Sequence, residues 1–166
     1  MLIQDFNNIL SIIPTFTASS ISTYATGMDY NYPNAGNPET YPLLFLEQEY
    51  NLNVGNPITI ETWQFGLLVV DQKDMENNQE TKDDIKDLML IEARKIVSYL
   101  RYILPTVYKG ARIDNINYLS LEDFEQDNVH GWRLELTITV PNTGETKCNP
   151  FPEVEDDPVI FPQEDH

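Results

Sequence analysis

The sequence predicts an α+β fold: one antiparallel sheet of about four strands, backed by a short N-terminal helix and one long helix, with an extended acidic C-terminal tail. Three observations carry this. Residues 81–104 repeat apolar side chains at helical spacing behind a capping threonine. Within residues 58–71, Trp63, Phe65, Leu67 and Val69 recur on one face at period two, and residues 132–140 alternate apolar and polar side chains. Residues 149–166 hold four prolines and six carboxylates with no Lys or Arg, so they build neither a helix nor a core of their own.

Taken in order, Leu2, Phe6, Ile9, Leu10 and Ile13 fall on one helical face, and Pro14 is expected to end that helix. Residues 15–41 are rich in Ser, Thr, Asn, Gly and Pro, with a strand expected near Ser20–Tyr24 and a long Tyr/Asn/Pro-rich loop over 25–42. A loop of that length in a compact domain is usually there to bind something, and tyrosine gives wide contact area with a polar tip. Leu43–Asn51 and Ile58–Asp71 read as an antiparallel hairpin. Trp63, Phe65, Leu67 and Val69 share one face of the second strand. The run Leu67–Val70 is apolar on both faces, so that end is expected to be covered on both sides.

Thr81 with Asp84 makes a capping box for a helix expected to run to Leu104 and stop at Pro105. Its apolar stripe is Ile85, Leu88, Met89, Ala93, Ile96, Val97, Leu100, Ile103 and Leu104. Leu90, Ile91, Tyr99 and Tyr102 are surplus to that stripe and available to a neighbouring subunit. Ile113–Phe124 reads as an irregular strand, residues 125–131 as a polar turn, and Trp132–Val140 as a half-buried strand ended by Pro141. The chain thus divides into a domain over 1–148 and a tail over 149–166.

At 166 residues and 41% apolar composition, one domain with a real core is expected. No apolar run approaches a membrane span, and the N-terminus lacks signal-peptide features. The single cysteine, Cys148, excludes an internal disulfide and fits a reducing compartment. A net charge of −17 argues against direct nucleic-acid binding, which depends on Lys and Arg neutralising phosphates. It leaves two relations to DNA open: an acidic passage through which DNA slides, or an acidic mimic that occupies a basic protein.

No chemistry emerges from the motifs. The glycines form neither a GxGxxG nor a GxxxxGK pattern, no GxSxG places a serine, and no Cys/His set has metal spacing. His130 reads as a turn residue. Asp123, Glu125 and Asp127 alternate as in a calcium loop, but Asn128 stands where the sharp turn needs glycine and Leu134 where a bidentate Glu belongs. Catalytic, cofactor and metal residues are therefore assigned as none, and the chain is expected not to be an enzyme. The expected subunit-interface residues are Tyr30, Tyr32, Tyr41, Tyr99 and Tyr102, with Phe151, Val159, Ile160 and Phe161 anchoring the tail on another surface.

In order, the chain presents the helix Met1–Ile13, then YPLLFLE (Tyr41–Glu47), then ETWQFGLLVVDQKD (Glu61–Asp74). The long helix Thr81–Leu104 follows, and GWRLELTITVPNTGETKC (Gly131–Cys148) closes the domain. This succession resembles small virion proteins of tailed bacteriophages, nearest to tail-terminator-like or head–tail connector (neck) ring proteins. It covers most of residues 1–148. The resemblance implies a structural subunit that closes into a homo-oligomeric ring of six or twelve copies, contacts portal, neck or tail proteins, and lets DNA through its lumen without specific binding. It implies residence in the virion neck or tail after synthesis in the host cytoplasm, without a membrane. The alternative is an acidic DNA-mimic inhibitor of a nucleic-acid enzyme.

Overall fold

The computed structural model describes residues 3–27, 41–47, 51–54, 60–72, 81–124 and 129–141. The loop expected over 25–42 lies for the most part outside them, and the tail over 149–166 entirely so. The described elements are α1 (Ile3–Ser11), a short 3₁₀ turn (Ile13–Thr15), β1 (Thr23–Gly27), β2 (Leu43–Glu47), β3 (Asn51–Val54), β4 (Ile60–Gln72), α2 (Lys82–Val107), β5 (Arg112–Phe124) and β6 (Val129–Pro141).

The architecture is α+β, with a sheet of six strands rather than about four, and mixed rather than wholly antiparallel. Its order is β1-β2-β4-β6-β5, with β3 also paired to β4. The strand expected near Ser20–Tyr24 lies at Thr23–Gly27 as β1. β1 pairs parallel to β2, Thr23 opposite Leu43. Within and just after the expected strand Leu43–Asn51, Leu43–Leu46 of β2 pair with Leu67–Val70, and Asn51–Val54 of β3 pair with Glu61–Gln64. β4 and β6 form the antiparallel spine, in register from Ile60–Pro141 to Gln72–Val129.

The main core lies between this sheet and the two helices. Trp63, Phe65, Leu67 and Val69 face it from β4, as their alternation requires, and Leu134, Leu136 and Ile138 join them from β6. Phe6 of α1 stacks on Phe65 with ring centroids 4.3 Å apart. Each such buried side chain contributes about 1.5–3 kcal/mol. Leu43, Phe45, Leu68, Val70 and Val129 form a second buried cluster on the opposite face, so the Leu67–Val70 end is apolar on both sides.

α2 begins at the expected cap: the Asp84 N–H donates to Thr81 Oγ1, and the Thr81 N–H donates back to Asp84 Oδ2 at 2.9 Å. The Thr81 bonds hold the Asp84 carboxyl below its usual range. The helix does not stop before Pro105 but runs on to Val107. A proline this close to the end removes one backbone bond to Arg101 and leaves the last turn intact, closed by Tyr108 N–H to Leu104 O at 2.8 Å. Leu88, expected in the stripe, is 54% exposed, and Glu92 is buried in its stead. Trp132 Nε1 donates to the Lys86 carbonyl at 2.8 Å, tying β6 to the helix.

His130 is not in a turn. β6 starts at Val129, and His130 is fully buried in it opposite Asp71 of β4. Pro14 and Pro141 also lie within elements: Pro14 in the 3₁₀ turn after α1, Pro141 as the last residue of β6.

Candidate functional site

β5 closes one end of the strand order. Its outer edge pairs with no strand among the described residues. Two irregularities interrupt its register with β6, between Ile113 and Asn115 and between Leu121 and Phe124. Between them Asn115–Leu121 (NINYLSL) runs regularly, with no charge and no proline. Edge strands are normally protected by charge, proline, bulges or short length, because their free N–H and C=O groups template further pairing. This stretch carries none of the chemical protections, in a chain of net charge −17. Leu119 adds an apolar side chain 44% exposed.

Beside this edge, the face of the sheet turned away from the helices is polar at one end. A concavity of about 330 Å³ is lined by Asn51, Gln64, Asn115, Asn117, Arg133 and Glu135, among others. Arg133 is the cation that lines it. Its Nε and Nη2 donate to the two Glu47 oxygens at 2.8 and 2.7 Å, and Nη1 donates to Glu135. These hydrogen bonds to Glu47 favour the charged guanidinium and raise its pKa further. Glu47 lies flat over Gly66, where any Cβ would collide with its carboxylate. With both partners engaged, the arginine braces β2 against β6 rather than standing ready for a ligand. At the strand's start, Asp114 accepts from Thr139 and from Arg112, and these bonds hold its carboxyl below the usual range.

The third surface is the outer face of α2. Tyr102 is 75% exposed, and Leu88 and Ile91 are exposed nearer the start of the helix. Tyr99 is half-buried: its ring meets Phe16 edge-on at 5.1 Å, and burial raises its phenol pKa. Tyr41 is buried in the second core cluster, so its side chain serves this chain's own packing. Tyr30, Tyr32, Phe151, Val159, Ile160 and Phe161 lie outside the described residues. The structure thus leaves Tyr102 as the most accessible of the expected interface tyrosines that it describes.

Glu92 was not anticipated. It occupies a buried position at the edge of the α2 stripe, beside a groove of about 190 Å³ that Phe16, Ile96 and Tyr99 help to line. Lys95 Nζ donates to Glu92 Oε1 at 2.6 Å and to the Ala18 carbonyl at 2.9 Å, while the Ser20 N–H donates to Glu92 Oε2 at 3.3 Å. The pair pins the segment after the 3₁₀ turn onto α2. In sequence its only trace is an acid three residues before a lysine. Burial pushes the Glu92 carboxyl up, but the Lys95 and Ser20 hydrogen bonds outweigh it and hold it below the usual range. A carboxyl lowered in the folded state adds stability above its unfolded pKa, about 4.3, and that stability is lost as pH falls through the folded value. Thermal melts from pH 7 to pH 3 should therefore show Glu92→Gln destabilised by about 1–3 kcal/mol at neutral pH. The gap from wild type should narrow toward pH 3; a gap that stays constant would exclude this role.

Among the described residues no three His, Cys, Asp or Glu side chains gather as a metal site, and no helix is long and apolar enough to cross a membrane. What the three surfaces offer chemically is contact: backbone pairing along β5, polar hydrogen bonding beside it, and apolar and charged side chains on α2. No protein-family model matches the chain, and no curated protein matches it.

Proposed function

We propose that this chain is a structural subunit that assembles head-to-tail with copies of itself, of the head–tail connector or tail-terminator kind in a bacteriophage neck or tail. The observation that carries the reading is the uncharged, regular outer edge of Asn115–Leu121 in β5, at the end of the strand order opposite β1. Among the described residues β1 and β5 stand at the two ends of the strand order, and two unlike sheet ends are what a heterologous contact needs; heterologous contacts close into rings when the rotation per copy permits. Main-chain pairing across such an edge supplies affinity without a deep pocket. The order of elements and the sequence resemblance point the same way. Six or twelve copies would enclose a lumen, and carboxylates of a −17 subunit around it would let DNA pass without holding it. Such a subunit would contact portal and tail proteins above and below.

The inhibitor alternative asks for phosphate-like carboxylates along one continuous face. Five of the ten Lys and Arg side chains instead cluster between Glu92 and Asp114, along and just beyond α2, which disfavours it.

Negative-stain electron microscopy of the purified full-length protein tests the reading. Annular particles with an open centre are expected; uniformly small, solid particles at every concentration would count against it.

A further inference from the structure

Charge in this chain is segregated. No acidic residue lies between Glu92 and Asp114, while Arg94, Lys95, Arg101, Lys109 and Arg112 all do. Lys95 is taken up by Glu92 and Arg112 by Asp114. Arg94, Arg101 and Lys109 are exposed and make no ion pair among the described residues. On α2, Ile91, Arg94, Ser98, Arg101 and Tyr102 fall at i+3 and i+4 spacings and so share the outward face. The backbone positions of Arg94 and Arg101 therefore stand about 10 Å apart along the helix, seven residues at 1.5 Å each, flanked by exposed Ile91 and Tyr102.

The chain also carries a segment of matching chemistry. Residues 149–166 hold six carboxylates and no Lys or Arg, and place Phe151 just before the acidic run Glu153–Asp157 and Val159 just after it. In a proline-rich extended strand, Glu153 and Asp156 stand about 9–10 Å apart, which matches the Arg94–Arg101 spacing. β6 ends at Pro141, close to Gly110 just past α2. The residues from there to Asn149 span up to about 26 Å, enough to cross to an adjoining molecule.

We propose that the outward face of α2 around Arg94 and Arg101 is the docking surface for the acidic C-terminal segment of a neighbouring copy. This rests on the self-assembling subunit reading above. The arginines bind the Glu153 and Asp156 carboxylates through charge-assisted hydrogen bonds, and Phe151 and Val159 cover Ile91 and Tyr102. Ordering a proline-rich strand costs less entropy than ordering a flexible one, which favours this kind of donor.

The test uses two full-length charge-reversed chains, R94E/R101E and E153K/D156K, followed by sedimentation velocity alone and as an equal mixture. Both arginines are exposed and unpaired among the described residues, so each chain should melt like wild type. The wild type is expected to assemble, each reversed chain to assemble at least about tenfold more weakly, and the mixture to regain assembly, since every junction between unlike chains again pairs opposite charges. High salt should weaken the wild-type assembly. Two results overturn the inference alone: R94E/R101E assembling like wild type, or reversed chains that lose assembly and do not regain it on mixing. A wild type that is monomeric at all concentrations overturns both the inference and the subunit reading on which it rests.

Discussion

Gly131→Ala is expected to lower stability by about 4 kcal/mol or more, or to abolish soluble expression. Gly131 sits inside β6, opposite Val70 of β4 and Leu121 of β5, with φ +155°. A Cβ there would lie 2.8 Å from the Val70 Cα and closer still to the Val69 carbonyl oxygen. Those are backbone atoms of the central strand pair, and they cannot move without breaking the ladder that carries both cores. Gly110→Ala is the control. Gly110 also has positive φ, +81°, but its nearest neighbour is the Pro141 side-chain ring at 3.1 Å, at the very end of the β4–β6 ladder rather than backbone inside it. It should cost about 1–2 kcal/mol, the ordinary penalty for a left-handed non-glycine residue. Thermal melts of the two variants make the comparison, and equal losses would refute the packing account of Gly131.

Arg133→Met is expected to cost about 2–4 kcal/mol. It leaves the Glu47 carboxylate, 7% exposed and wedged over Gly66, without its bidentate partner. Breaking one side of a buried pair strands the other charge; replacing both sides removes the problem. The double variant E47M/R133M should therefore recover at least half of the loss, as measured by urea denaturation. A double variant as unstable as the sum of its single variants would show that the pair does not act as a unit. The pair also bears on the proposed function: it braces β2 against β6 beneath the polar concavity, and β6 is the strand on which the β5 edge depends.

Where the sequence spoke plainly, the reason was local. Thr81 and Asp84 announce the start of α2 because a capping box is written in four residues. Trp63 to Val69 announce a strand because alternation across a half-buried face needs no distant partner to be visible. β3 gave no such signal. Asn51–Val54 are all exposed, so burial imposes no pattern on them, and only the register with β4 makes them a strand. β1 is a strand through parallel pairing with β2, across a connection whose length hides the partner. Gly131 and His130 read as turn residues because Gly and polar neighbours usually mark turns. The structure instead uses the glycine for close backbone approach within a strand. The Glu47–Arg133 and Glu92–Lys95 pairs were hidden for two reasons: one joins residues far apart in sequence, and the other rests on the Ser19–Ser20 segment folding back onto α2. Of the interface tyrosines, Tyr41 shows how little a tyrosine's identity says about its exposure until the second core cluster is known.

The central claim is self-assembly into a closed ring, and native mass spectrometry of the full-length chain over a range of concentrations tests it most directly. A discrete species of six or twelve copies is expected, with no ladder of intermediate or open-ended sizes, because head-to-tail contacts that close give one stoichiometry. A monomer at every concentration, or an unlimited distribution of oligomers, would contradict it.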